Sequence, residues 1–295
     1  MKMPSKSSEG SRGAWGKIRR SRSGEPSRSK TAFVLSGGGI QGSIQVGMIK
    51  ALLEHGVEPD LIAATSVGAL NGAVIAQSPG EKGLEQLIGI WDDLEGEHIF
   101  PGGFWSRMVK FVSADHLFPR TGVEKIVDDN IHTRRFEDLP IEMHTVACDL
   151  DTGEEVRFSS GEIRPALLAT TALPGAFPPV DHDGRRLIDG GVINNVPVSV
   201  VDRPDVSRIY VLNVSSELDE DKEARRPLDV VMKAFAIAKG QRWLADVKRY
   251  STDPRVHVLP RPPFEGLAFD DLTQTQRLLD ESYELTKSYL GSVAA

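Results

Sequence analysis

Ala32-Phe33-Val34-Leu35-Ser36-Gly37-Gly38-Gly39-Ile40-Gln41-Gly42 is the stretch that decides the reading of this chain. Four apolar residues run into a serine and three consecutive glycines. A segment with helical spacing follows, in which Val46, Ile49, Leu52 and Leu53 share one face of 44–55. The order is strand, glycine-rich loop, helix, with Gly56 placed to cap the helix C-terminus. The pattern then repeats. Leu61-Ile62-Ala63-Ala64-Thr65 reads as a second buried strand, and residues 69–77 as a helix of small residues able to pack tightly on it. Two such units in succession predict a parallel sheet with crossover connections.

Further strands are expected over 143–148, 155–158, 209–214 and 256–259. Asp183-Gly184, between Val180 and Leu187-Ile188, is a two-residue hairpin signal. Leu272, Leu279, Tyr283 and Leu290 share one face of a terminal helix. No internal repeat is found, and no compositional break marks a boundary after residue 31. The expectation is a three-layer α/β/α domain over 31–295 with a central, mostly parallel sheet.

Charge is unevenly spread along the 295 residues, whose formal net charge is −7. Residues 1–30 hold nine Lys/Arg against two Glu, an excess of +7, so the remainder carries −14. This first segment has few apolar residues beyond Trp15 and Ile18 and is expected to be a disordered basic tail. It lacks the apolar run of a secretory signal. A tail of this kind offers an electrostatic contact to an anionic membrane; nucleic acid is not expected as a partner. The single cysteine, Cys148, forbids an intrachain disulfide and sits in an apolar run that would bury it. With no run of 18 apolar residues, the chain is not expected to span a bilayer. A cytoplasmic protein with peripheral membrane contact is the expectation. Residues 100–118 concentrate five of the nineteen aromatics, Phe100, Phe104, Trp105, Phe111 and Phe118, in either the core of an insertion or an acyl-binding lid.

Three sites carry chemistry. Gly37 to Gly42 also fits the G-x-G-x-x-G pattern of a dinucleotide loop, but such a loop requires an acid closing the second strand. Here Glu58 and Asp60 precede that strand, and it ends in Thr65-Ser66. What survives is a set of backbone N–H groups converging at a helix N-terminus, where negative charge is stabilised. Ala64-Thr65-Ser66-Val67-Gly68 has the small-x-Ser-x-small form of a nucleophile elbow, with Ala64 in place of the usual glycine. Asp189-Gly190-Gly191 follows the hairpin, and its glycines permit close approach by another element. Only His257 follows Asp189, inside a strand pattern, and His182 flanks the hairpin turn. Either a serine activated directly by an aspartate or a triad through one of these histidines remains open. No cluster with ligand spacing appears, so neither metal nor cofactor is expected.

These blocks resemble the bacterial patatin-like phospholipases, serine–aspartate lipid acyl hydrolases. The similarity runs from about Thr31 to Val214. It includes the glycine loop and Thr65-Ser66-Val67-Gly68-Ala69-Leu70-Asn71-Gly72. It continues in Leu173-Pro174-Gly175-Ala176-Phe177-Pro178-Pro179-Val180 and closes in Ile188-Asp189-Gly190-Gly191-Val192-Ile193-Asn194-Asn195-Val196-Pro197. The resemblance implies Ser66 as nucleophile, Asp189 as base and Gly37, Gly38 and Gly39 as oxyanion loop, with Gly42, Ala64, Gly68, Gly190 and Gly191 supporting them. It implies hydrolysis of a lipid or other acyl ester. A thioesterase or transacylase would share the same parts, and a lipid-binding regulatory pseudoenzyme is the reading from another class. Gln41 stands where many relatives carry Arg or Lys.

Overall fold

The computed structural model describes residues 29–96, 120–215, 227–263 and 272–293. Most of the basic tail and the aromatic-rich window 100–118 lie outside these residues. The described residues form one eight-stranded sheet of β1 (Lys30–Leu35), β2 (Leu61–Ala64), β3 (Glu142–Asp149), β4 (Glu155–Phe158), β5 (Val180–His182), β6 (Arg185–Asp189), β7 (Val206–Leu212) and β8 (Val256–Val258). The order is β5-β6-β3-β2-β1-β7-β8, with β4 also on β3. β2, β1, β7 and β8 run parallel to one another and to β3, while β4, β5 and β6 make the antiparallel pairings.

Alternation along each strand splits the apolar side chains between two cores. Phe33, Leu35, Ile62, Ala64, Tyr210 and Leu212 face one layer. This layer holds α1 (Gly42–Glu54), α2 (Val67–Gln77), α3 (Glu81–Gly96), α4 (Thr121–Asn130), α5 (Ile163–Thr170) and the terminal α9 (Thr275–Val293). Ala32, Val34, Leu61, Ala63, Ile209 and Val211 face the other. There the sheet is covered by α6 (Gly191–Asn194), α7 (Val198–Val201) and α8 (Pro227–Tyr250). This is the three-layer α/β/α arrangement. It explains why β1 and β2 read as unbroken apolar runs: both their faces are buried.

Boundaries shift where the chain has other work. β7 stops at Leu212 rather than running to Val214, because the Val214 N–H leaves the ladder to donate to Ser36 Oγ at 2.8 Å. α2 starts at Val67, immediately after Ser66. Lys30, counted with the tail from sequence, opens β1; its ammonium meets Glu142 Oε2 at 2.7 Å. The hairpin is as expected, with positive φ at both Asp183 (49°) and Gly184 (75°), the backbone of a type I′ turn. Cys148 is buried. No helix among the described residues is long and apolar enough to cross a membrane.

α9 docks on α1 at one point of backbone contact. A Cβ at Gly47 would lie 2.1 Å from the Leu279 carbonyl oxygen and 2.2 Å from Ser282 Oγ. Ser282 Oγ in turn donates to the Ile44 carbonyl at 3.0 Å. Gly47→Ala must therefore push α9 away. The expected result is a loss of about 2 kcal/mol or more, in the range of core overpacking, read as a lower urea midpoint with the far-UV spectrum retained.

Candidate active site

β1, β2 and β7 end level with one another, since Leu35 pairs with both Ala64 and Leu212. Everything that follows these strands therefore gathers at one edge of the sheet: the glycine loop, the serine elbow and Asn213–Ser215. Asp189 reaches the same edge from β6, opposite Ala147 of β3.

Ser66 sits at φ 56° and ψ −130°. A non-glycine residue held there costs on the order of 1–3 kcal/mol and persists only where the surroundings over-determine it. They do. The Ser66 N–H donates to Thr170 Oγ1 at 3.0 Å, and Thr170 Oγ1 donates onward to the Val146 carbonyl. Thr65 Oγ1 donates to the Asn194 carbonyl at 2.9 Å. A Cβ at Gly68 would fall 2.6 Å from the carbonyl oxygens of both Leu35 and Ser36, so the first turn of α2 rests directly on the end of β1. Ala64 buries its methyl group in the core, 3.5 Å from where a Cβ at Gly72 would stand, an ordinary van der Waals distance. The departure from glycine at this position is absorbed by packing.

The glycine loop is clasped from several sides. The Gly37 N–H donates to the Asn195 carbonyl at 3.2 Å, and Asn195 Nδ2 returns a bond to the Gly37 carbonyl at 3.1 Å. A Cβ at Gly37 would lie 2.9 Å from Ser66 Cβ, which sets how closely loop and nucleophile approach. Gly39 takes φ 61°. Because the Gly37 N–H is engaged, the donors left without a hydrogen-bond partner among the described residues are those of Gly38 and Gly39. Gln41 holds the loop without charge. In the amide orientation that its neighbours demand, Nε2 donates to the carbonyls of Gly38 (3.2 Å) and Val214 (2.9 Å). Beneath it, Gln45 Nε2 donates to the carbonyls of Ser36 (2.9 Å) and Leu212 (3.1 Å). Asn71 Nδ2 donates to Gln45 Oε1 at 3.0 Å, and Trp91 Nε1 to Asn71 Oδ1 at 3.1 Å. Gly42 admits that indole, since a Cβ there would lie 2.6 Å from Trp91 Cζ2.

Asp189 is only 1% exposed. One carboxylate oxygen accepts the Gly191 N–H at 2.7 Å, and the Ser66 hydroxyl stands close enough to the carboxylate to draw its pKa down. Burial pushes its pKa up to about 6, against the opposing pulls of the Ser66 hydroxyl, the Gly191 N–H and the positive charge of Lys239. Gly190 is required to be small, since a Cβ would meet the Val146 carbonyl oxygen at 2.2 Å. Gly191 faces α8, where Phe235 Cζ would lie 3.0 Å from an added Cβ. One turn along, Lys239 places its ammonium 5.0 Å from the Phe235 ring centroid. Burial depresses the Lys239 ammonium, and Asp189 offsets part of that.

Ser66, Asp189 and the glycine loop are thus brought together. His257 stacks on Tyr210 at 5.1 Å and lies 3.5 Å from the Tyr289 hydroxyl, two strands from β1 along the sheet. His182 packs edge-on against Phe158. Among the described residues, the carboxylate's partners are Ser66, Gly191 and Lys239, and no histidine stands between serine and acid. Thr170, Asn195, Phe235 and Lys239 belong to this site and had no signal in the sequence reading. Asn195 stood inside a quoted block, but its clasp on Gly37 spans 158 positions. Chemically, the arrangement offers a hydroxyl near a buried proton acceptor, with the glycine loop beside it.

Residues 33–202 match the family described as patatin-like phospholipase. A patatin-like phospholipase domain-containing protein of Caenorhabditis elegans, ZK370.4, is 31% identical over 174 residues, 57% of this chain and 12% of that protein. Lysophospholipase nte1 of Aspergillus terreus is 26% identical over 283 residues, 88% of this chain and 18% of that protein. Patatin-like phospholipase domain-containing protein 7 of Mus musculus is 29% identical over 196 residues, 64% of this chain and 14% of its own length. The chain therefore spans less than a fifth of these relatives, all of them eukaryotic. Among solved structures, VipD from Legionella pneumophila superposes with a TM-score of 0.48 at 16% identity, covering 90% of this chain and 67% of that one. With its match over more than half its length, the chain belongs to the patatin-like phospholipase family.

Proposed function

We propose that this protein hydrolyses carboxylic esters of lipids through Ser66 and Asp189. The observation that carries the reading is the approach of the Ser66 hydroxyl to a buried carboxylate, beside a glycine loop whose Gly38 and Gly39 N–H groups have no partner among the described residues. Ser66 Oγ attacks the acyl carbonyl carbon while its proton passes to Asp189, and the new oxyanion is held by the Gly38 and Gly39 N–H groups. Each such donor contributes about 10²–10³ in rate. As the tetrahedral centre collapses, Asp189 returns the proton to the departing alcohol. Water then attacks the acyl-enzyme, its proton going to Asp189, and the carboxylic acid leaves with Ser66 restored. Gly37, the third glycine expected to donate, acts as the hinge that brings loop and nucleophile together.

Family membership and the names of relatives, among them a lysophospholipase, support the lipid class. A thioesterase or transacylase would use the same first step, with a thiolate leaving or another acceptor replacing water. The basic segment 1–30 adds a screened Coulomb attraction to anionic lipid in this reading.

The assignment has sharp consequences. Ser66→Ala should abolish both hydrolysis of p-nitrophenyl esters and labelling by a fluorophosphonate probe. Asp189→Asn should do nearly the same to hydrolysis, while His182→Ala and His257→Ala keep most of it. A folded His257→Ala protein with no activity would instead establish a triad.

The pH dependence follows from the acid. Asp189 must be ionised to take the proton, and its pKa stands at about 6. kcat/KM should therefore fall about tenfold per unit as pH drops below that value. Stability runs the other way. The folded pKa lies above the ordinary value of 3.8, so the group favours the fold below that pH and costs stability as pH rises through 6. Asp189→Asn should therefore melt above the parent at pH 8 and lose that advantage near pH 4, in a thermal melt at each pH.

A further inference from the structure

α8 exposes a line of apolar side chains on its outer face. Its inner face carries Phe235, Lys239, Asp246 and Tyr250, the last two buried. Its outer face carries Val230 (53% exposed), Ile237 (43%) and Leu244 (61%) at heptad intervals, with Val247 (39%) beside them. Ala234, Ala238 and Ala245 fill the exposed gaps. Of the eight large apolar residues exposed among the described residues, four lie on this one helix. Scattered exposed apolar residues need no explanation, but four of them along one helix from 230 to 247, with Gln241 between Ile237 and Leu244, do.

Charge and position say what would cover it. Residues 227–250 hold five Lys/Arg against two Asp, in a chain whose net charge is −7, and Lys248 and Arg249 are exposed at the end of the stripe. An apolar line bordered by cations is the pattern of a helix lying in the interface of an anionic bilayer. The same helix walls the site, because Phe235 stands against Gly191, two residues from Asp189. A bilayer on the outer face would stand about 10 Å, one helix diameter, from the Ser66–Asp189 pair.

We propose that the outer face of α8 is a lipid-docking surface, on which an anionic membrane is seated beside the active site. The inference rests on the lipid-ester reading above for its substrate, but its test needs no turnover. In the full chain carrying Ser66→Ala, binding is measured by co-sedimentation with vesicles of equimolar phosphatidylcholine and phosphatidylglycerol, at low and at high salt. Burying two aliphatic side chains contributes enough that Ile237→Gln with Leu244→Gln should weaken binding about tenfold or more. The loss should persist at high salt, where the contribution of the basic tail is screened. Val258→Gln, at an equally exposed apolar residue on β8, should bind as the parent does. Circular dichroism of each variant checks the fold. Equal binding by parent and double variant, or no vesicle binding at all, overturns the proposal. A dimer in light scattering that the double variant dissociates, without vesicle binding, assigns the face to a second copy of this chain and overturns it too. Loss of vesicle binding in the variant while the wild-type chain hydrolyses no ester would refute the catalytic reading and leave the docking surface standing.

Discussion

The contact of Gly68 with the end of β1 is the constraint on which the site depends. α2 can begin directly after Ser66 only because no side chain separates its first turn from the Leu35 and Ser36 carbonyls. That closeness forces Ser66 into positive φ and carries its Cβ to the edge of Gly37. Any larger residue at position 68 would lift the elbow from the sheet and part Ser66 from the glycine loop. The strain at Ser66 is met by bonds from two distant segments, through Thr170 to Ser66 itself and through Asn194 and Asn195 to its neighbours Thr65 and Gly37. A loop alone would not hold it. The sheet, packed on both faces, supplies the rigidity.

Burial of Asp189 is the second term, and its sign is adverse to stability. A carboxylate taken from water loses hydration that the Gly191 N–H, the Ser66 hydroxyl and Lys239 restore only in part. The residual penalty appears as a raised pKa. The same penalty makes the group a better proton acceptor, because a base is most effective when its pKa lies near the working pH. Fold stability is thus exchanged for basicity at a single residue. The exchange is local: Gly190 lets the chain pass over the Val146 carbonyl and places the acid there without displacing β3.

The two strand–loop–helix units and the hairpin were legible because each rests on local signals: apolar runs for doubly buried strands, glycines at close approaches, Asp-Gly at a type I′ turn. Ser66 and Asp189 were legible for the same reason, since the motifs that shape their backbones are contiguous. Thr170 and Asn195 were not. Their roles consist of single bonds to segments 104 and 158 positions away, and nothing in their neighbours announces such a bond. The clash that would reveal Gly47 as the seat of α9 is equally non-local. α8 escaped for a different reason. Its exposed face carries Val230, Ile237, Leu244 and Val247 while its inner face mixes Phe235 and Trp243 with Lys239 and Asp246, so periodicity that assumes an apolar interior singles out no buried stripe.

Gln41 shows how a departure from a family pattern can preserve the pattern's mechanical part. A cation at this position would bring both charge and hydrogen-bond donors to the loop. The amide keeps donors, to the carbonyls of Gly38 and Val214, and gives up the charge. Because those two carbonyls belong to the glycine loop and to the segment leaving β7, the clamp still ties the loop to the sheet. Positive charge is then left to the opposite wall, where Lys239 on α8 acts on Asp189 rather than on the loop. Charge at the acid favours its ionised form, whereas charge at the loop would favour the oxyanion. In this chain the positive charge thus acts on the buried carboxylate and not on the glycine loop.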